Sequence, residues 1–193
     1  MPRYYYFLAY LLWLVMVLGT HDVHAARKDT IPNPFTFTDQ TGVDADTDPA
    51  AFEPHHELIT SPDQVQVYEA IMGDDMNQVT YTLLRGMTYL KDNRILPQGF
   101  DKASASSDIR VVGDALNDDN FIGGSDEIGY RITGLNGTGY QVTAELIHQP
   151  LAYGFTQDLF SESGAEIQDF QKMFQASSAK STTITTHAFS VSR

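Results

Sequence analysis

Apolar residues follow three different rhythms along this chain. Tyr4 to Gly19 is an unbroken apolar run. Residues 26–53 hold only scattered apolar anchors, Ile31, Phe35, Phe37 and Phe52, among prolines and aspartates. From His56 onward, short apolar stretches alternate with polar positions. Val65, Val67, Glu69 and Ile71 alternate with polar or small residues, and after Gly73-Asp74-Asp75, Val79, Tyr81 and Leu83 alternate with Thr80 and Thr82. A period of two with β-branched and aromatic residues predicts strands, here a hairpin across a short loop. Ser61-Pro62-Asp63-Gln64 offers a competing reading. It has the form of a capping box with proline at the first helical position, followed by Val65, Tyr68 and Met72 at helical spacing. The strand is preferred.

Further strands are predicted at Ile109–Val112, Ile128–Ile132 and Tyr140–His148, the last two joined by the tight-turn dipeptide Asn136-Gly137. Pro150 ends the third, because proline cannot donate in a ladder. Ile167, Phe170, Met173 and Phe174 recur at helical spacing and predict one short helix over Glu166–Ala176, before a last strand near Thr183–Val191. There is no internal repeat. Short strands punctuated by turns, with one short C-terminal helix, predict a mainly β fold, an antiparallel β-sandwich.

The apolar run at the start is preceded by Arg3 and followed by Val23-His24-Ala25, with small residues where a signal peptidase reads. That order predicts a secretory signal peptide over residues 1–25, shorter than a membrane-spanning helix requires. Residues 26–53 then form an acidic, poorly structured arm, and residues 54–193 the β-sandwich domain. Removing 25 of 193 residues leaves 168, the size of one domain. The expected location is outside the cytosol, periplasmic or extracellular, with no membrane span after cleavage.

Charge and composition narrow the function classes. A net charge of -13 disfavours nucleic acid and anionic lipid as partners and favours cations. The chain has no cysteine, so it has no disulfides, thiol chemistry, Cys-bound zinc, iron–sulfur cluster or covalent haem attachment. A lipoprotein anchor is excluded on the same ground.

Three strings carry a resemblance. HHELITSPDQVQVYEAIMGDDMNQVTYTLLRGMTYLKDNRILPQGF spans His55–Phe100, and DDNFIGGSDEIGYRI and VTAELIHQPLAYGF follow. Together they resemble the C-terminal, haem-free β domain of bacterial multihaem c-type cytochrome family proteins, over most of residues 54–176. The string Lys91-Asp92-Asn93-Arg94, followed by Pro97 and Gly99-Phe100, is the most specific piece. The chain departs from the family by lacking every CxxCH. What the resemblance implies is the accessory module alone, carried on its own signal peptide.

Candidate sites are few. Asp114, Asn117, Asp118, Asp119, Asn120, Asp126 and Glu127 lie in one loop region, where crowded hard oxygens suit calcium, and Gly123-Gly124 lets backbone carbonyls approach. Asp114, Asp118, Asp119, Asn120 and Asp126 are the candidate ligands, against the alternative of a solvated turn. Asp44, Asp46 and Asp48 mimic the start of an EF-hand loop. Pro49 replaces the required glycine, and His55 stands where the glutamate belongs. His55, His56 and His148 form a second metal candidate. Adjacent histidines on a strand point to opposite faces, so only one of the pair would join His148 and a carboxylate. Asp92 and Asn93 suit a turn, Arg94 is expected to pair with a buried carboxylate, and Asp92 has no nucleophile beside it. No GxSxG, HExxH or phosphate loop occurs, and Asn136-Gly137-Thr138 is better explained as a turn than as a glycosylation site.

The expected function is therefore an exported, non-catalytic binding or accessory module without a covalent cofactor. Its expected partner is a multihaem cytochrome or another exported redox assembly. A carbohydrate- or surface-binding sandwich is the first alternative and would present a row of exposed Tyr or Phe. A hydrolase with an Asp/His site is the second and would need converging, pKa-perturbed carboxylates. The export reading predicts that the secreted protein begins at Ala26, which its intact mass checks. Residues 1–25 retained in a membrane fraction would mark an anchor instead.

Overall fold

A computed structural model describes residues 5–7, 19–27, 35–37, 51–61, 64–132, 139–177 and 181–192. The chain is mainly β, with strands β1 (Tyr5–Phe7), β2 (Gly19–Arg27), β3 (Phe35–Phe37), β4 (Leu58–Ile59), β5 (Val67–Tyr68), β6 (Ala70–Gly73), β7 (Thr88–Asp92), β8 (Ile128–Tyr130), β9 (Gly139–His148) and β10 (Thr182–Ser192). Two helices, α1 (Tyr153–Ser161) and α2 (Ala165–Ala176), separate β9 from β10. The strands form three small sheets, ordered β1-β8-β4, β10-β9-β2-β3 with β5 also on β2, and β6-β7. All pairings are antiparallel except β4 with β8. Among the described residues no helix is long and apolar enough to cross a membrane.

β9 forms where the alternation is longest. Val142 and Leu146 point into the core and are buried, while Gln141 is exposed. β10 pairs along it from Thr182↔His148 to Ser192↔Gly139, and β2 covers the other edge from Gly19↔His148 to Arg27↔Tyr140. The cleavage expected after Ala25 falls inside β2, and β3 lies within the arm expected to be poorly structured. α2 sits where its apolar spacing places it, and Phe170 and Phe174 meet Phe160 of α1 at 6.0 and 5.6 Å between ring centroids.

The preferred strand reading of residues 65–72 holds in β5 and β6, and Gln64 holds a turn before them, its Oε1 accepting the N–H of Thr60 and Ser61. Several other local expectations are corrected. Residues 79–83 are not the partner strand of β6: β7 takes that place, in the register Gly73↔Thr88 and Met72↔Tyr89. The reason is local. The Asp74 carboxylate accepts the N–H of Met76 and of Gln78, both at 2.9 Å, and Asn77 adopts a left-handed φ of 58°. This Asx-type fold consumes the alternating residues in an ordered loop. The N–H of Met87, donated to the Gly73 carbonyl, closes that loop. Leu83, which the alternation places in the second strand of the hairpin, stands 81% exposed on the loop. Ile109–Val112 is a turn followed by one bridge from Val112 to Asp92, not a strand. One helix was expected and two α-helices are present among the described residues. α1 went unread because Tyr, Gly, Phe and Thr at its start are poor helix formers. The expected Asn136-Gly137 turn and the Asp44, Asp46 and Asp48 triplet lie outside the described residues.

The core gathers Ile59, Tyr68, Val111, Phe121, Ile128 and Val142. It is closed on one side by the Pro97–Phe100 turn and the Gly123-Gly124 loop, which interlock. A Cβ on Gly123 would lie 2.7 Å from the backbone N and O of Phe100, so only glycine fits. The Gly124 N–H, at a φ of +96°, donates to the Leu96 carbonyl at 2.9 Å. Leu146→Ala should cost about 2–5 kcal/mol in urea unfolding, whereas Leu83→Ala should stay within about 0.5 kcal/mol of the parent. Equal losses at the two positions would contradict this division of core from surface.

Candidate functional site

The parallel register of β4 and β8 builds the most polar point of the interior. Leu58 lies opposite Gly129 and Ile59 opposite Tyr130. The Gly129 N–H donates to the Glu57 carbonyl at 2.8 Å, which continues the pairing toward the start of both strands. Three residues before Leu58 and Gly129 stand His55 and Asp126, so the same register sets them against each other. His55 Nε2 is 3.9 Å from Asp126 Oδ2 and 3.1 Å from Asp118 Oδ2. Asp118 arrives from a turn that its own carboxylate organises, with Oδ1 accepting the N–H of Asn120 at 2.8 Å and of Phe121 at 3.4 Å. Phe121 packs on the His55 ring, 4.9 Å between centroids, and keeps the cluster dry.

Two buried amides close the other side of the imidazole. Gln66 Nε2 is 2.7 Å and Asn93 Nδ2 is 3.0 Å from His55 Nδ1. Neither amide is free to turn over. Gln66 Oε1 accepts the His56 backbone N–H at 2.7 Å. Asn93 Oδ1 accepts the Glu69 N–H at 2.9 Å while its Nδ2 donates to the Val67 carbonyl at 2.9 Å. Both therefore present N–H groups to Nδ1, which must be an acceptor. The proton of the neutral ring then sits on Nε2 and is donated to Asp118.

Asp126 is held differently. Its Oδ2 accepts the Tyr68 hydroxyl, and its buried Oδ1 has no hydrogen-bond partner among the described residues. Burial pushes its carboxyl above the ordinary range, opposed by the Tyr68 hydrogen bond and by His55, and reinforced by Asp118. Burial, with Asp126 next in weight, also raises Tyr68 well above the usual tyrosine value. Beside the cluster, buried Lys91 donates to the Val67 carbonyl at 2.9 Å and to Glu69 Oε1 at 3.0 Å; desolvation lowers its pKa, and Glu69 resists that shift.

The structure thus takes one member from one predicted metal set and two from the other. His55, Asp118 and Asp126 offer ligand-type atoms within 4.8 Å of one another. Asp114, Asp119 and Asn120 remain exposed, and Asn120 Oδ1 is engaged by the Glu127 N–H at 2.7 Å, so the predicted calcium loop does not assemble as a ligand cage. His56 turns to Glu53, with Nε2 2.9 Å from Oε2, and His148 lies in β9 opposite Thr182; neither joins the cluster. The buried carboxylate that Arg94 was expected to meet is Asp92, with Nε to Oδ1 at 2.9 Å and a second nitrogen to Oδ2 at 2.6 Å. Gln66 and Asn93 were missed. Their signal was present: a polar residue inside Val65-Gln66-Val67 that the structure buries completely.

Nor do these residues fit a metal. A ligating histidine gives its lone pair to the ion and donates its other N–H to an acceptor. Here Nδ1 faces two donors, so a proton moved there has no acceptor. What the arrangement does is tie His55, β5, the end of β7 and the 118–126 loop into one knot. Comparison with protein-family models, with curated proteins and with solved structures gave no match for this chain.

The tautomer logic has a direct check. Zinc and a chelator should leave the melting temperature of the parent unchanged. Gln66→Glu replaces a donor at Nδ1 with an acceptor and should create zinc-dependent stabilisation. A parent protein stabilised by zinc as strongly as the variant would refute the assignment.

Proposed function

We propose that this chain is an exported, non-catalytic binding module that joins a redox assembly containing a multihaem cytochrome. One observation carries the binding reading: Leu83 and Leu84 stand 81% and 97% exposed on the ordered loop between β6 and β7, and Met76 and Met87 of the same loop are 69% and 72% exposed. Apolar side chains held out in water on a hydrogen-bonded loop mark an interaction surface. The turn itself is fixed, with the Arg85 N–H donating to the Thr82 carbonyl at 2.9 Å and the Gly86 N–H to Leu83 at 3.3 Å. The choice of a cytochrome as partner rests on the resemblance of His55–Phe100 and the two later strings to the haem-free cytochrome domain.

Export rests on the leader pattern of residues 1–25. In the full chain Gly19–Ala25 of β2 covers the edge of β9, so cleavage obliges the mature domain to cover that edge anew. We take the finished domain to be a sandwich of antiparallel sheets with its loop tip outward, placed in the periplasm or outside the cell.

The converging carboxylates favour a hydrolase as second reading. Against it, the His55 and Asp118 side chains are each 1% exposed, and the only imidazole lone pair is sealed by Gln66 and Asn93. A base must reach its substrate. The carbohydrate reading finds no support, because no Tyr or Phe is exposed among the described side chains.

The test is retention of a haem protein. The tagged mature chain, incubated with a periplasmic extract, should retain a fraction with the Soret absorbance of haem. The Leu83→Ser/Leu84→Ser variant, with an unchanged melting temperature, should lose it. No haem in the retained fraction would overturn the cytochrome partner, and equal retention by the variant would overturn the tip.

A further inference from the structure

We infer that the exported protein carries a slot one strand wide along the edge of β9, and that its partner enters as an extended segment, apolar at every second position and basic opposite Glu145. Export is the premise, because loss of residues 1–25 is what empties the slot.

The slot is the place that β2 fills in the full chain. β2 is an interior strand of its sheet. On one side it pairs with β9, from Gly19↔His148 to Arg27↔Tyr140. On the other it pairs with β5, at Gly19↔Tyr68 and Thr20↔Val67, and with β3, from Val23↔Phe37 to Ala25↔Phe35. Cleavage after Ala25 removes Gly19–Ala25 and leaves Ala26 and Arg27 opposite Gln141 and Tyr140. The edge of β9 from Val142 to His148 then loses its ladder. A gap of two strand spacings, about 9.6 Å, lies between β9 and β5.

Both walls of that gap are held from behind. β9 is held by β10, paired from Thr182↔His148 to Ser192↔Gly139. β5 is held by Lys91 of β7 and by Asn93 just beyond it: the Val67 carbonyl accepts from Lys91 Nζ and Asn93 Nδ2, both at 2.9 Å. Gln66, next to Val67, is fixed to the His56 N–H at 2.7 Å. None of these bonds involves β2, so all of them survive cleavage. Main-chain N–H and C=O groups left bare along the slot are costly unless another backbone meets them. Two facing rows of such groups fit an extended peptide, which adds to the sheet as a strand.

The register states what that peptide must carry. Val142 and Leu146 are both buried on the core side of β9. Residues directly opposite them share that side. In the full chain these positions belong to Ala25 and His21, with Val23 between them opposite Ala144. Alanine and histidine offer little apolar surface there. Asp22 stands opposite Glu145, an acid against an acid, and like charges so placed are destabilising. The leader is thus a poor occupant of its own slot. A segment with apolar residues at the positions of His21, Val23 and Ala25 and Lys or Arg at that of Asp22 gains on both counts. A basic segment also suits the whole protein: Arg3 and Asp22 are the charged residues of the leader, so its removal leaves the net charge at -13.

Two measurements test this. In the full chain, Asp22→Lys should raise the melting temperature by about 1–3 °C, and by less when Glu145→Gln is already present. A melting temperature that does not rise overturns the register. For the exported protein, purified from the cells that produce it, intact mass first reads the N-terminus. A labelled peptide of the sequence Gly19–Ala25 carrying His21→Val and Asp22→Lys should bind the protein that begins at Ala26 and slow hydrogen exchange at β9 amides between Val142 and His148. It should bind the full chain at least tenfold more weakly. The same peptide carrying Val23→Pro lacks a ladder N–H at its centre and should not bind. Residues 1–25 retained on the exported protein overturn the export reading and the slot with it. A start at Ala26 with no peptide binding, or with equal binding of the proline peptide, overturns the slot alone and leaves export standing.

Discussion

Two side-chain amides decide the chemistry of the interior. Gln66 and Asn93 are each anchored by a backbone N–H, and each turns its NH2 group onto His55 Nδ1. That one constraint assigns the ring tautomer, aims Nε2–H at Asp118 and excludes a metal ion from the only cluster of ligand-type groups among the described residues. A buried imidazole flanked by two carboxylates ordinarily suggests either a metal site or an ion pair. Here the second layer of hydrogen bonds ties the same three side chains into a structural knot.

The knot is assembled from parts far apart in the chain. His55 precedes β4, Gln66 leads into β5, Asn93 follows β7, and Asp118 and Asp126 bracket the glycine loop that locks onto Pro97–Phe100. These positions lie within residues 55–93 and 118–126. Residues that look like a scattered signature in one dimension are a single hydrogen-bonded unit in three. Asp92–Arg94 and Lys91–Glu69 extend the unit toward the surface, where the Arg94 guanidinium lies 5.8 Å from the centroid of the Tyr89 ring.

What the sequence disclosed depended on the range of the determining interaction. β9, β10 and α2 were legible because periodicity and flanking breakers act within a few residues. The partner of β6 was not, because the Asp74 side chain folds residues 74–87 into a loop and carries Leu83 out of the sheet. The site was half legible. Asp118 and Asp126 were grouped for their charge and His55 for its metal chemistry, but no local pattern could say that a parallel register places residue 55 against residue 126. Gln66 and Asn93 escaped because their importance lies in which way an amide points, and a distant backbone N–H settles that. The sandwich layering rested on fold-level pattern alone, a weaker guide than the pairing of any one strand.

The exposed tip is rooted beside the sealed centre. The loop carrying Leu83 and Leu84 is rooted in β6 and β7. Immediately beyond these strands, Glu69 and Asn93 exchange backbone and side-chain hydrogen bonds, and Lys91 reaches back to Val67. Displaying apolar side chains in water is unfavourable, and a mobile loop would bury them against the domain. A root fixed by buried polar bonds opposes that collapse. Preorganisation of this kind lowers the entropy lost on association. The directional hydrogen bonds around His55 supply rigidity that non-directional apolar packing could not, which accounts for so polar a knot inside a small β domain.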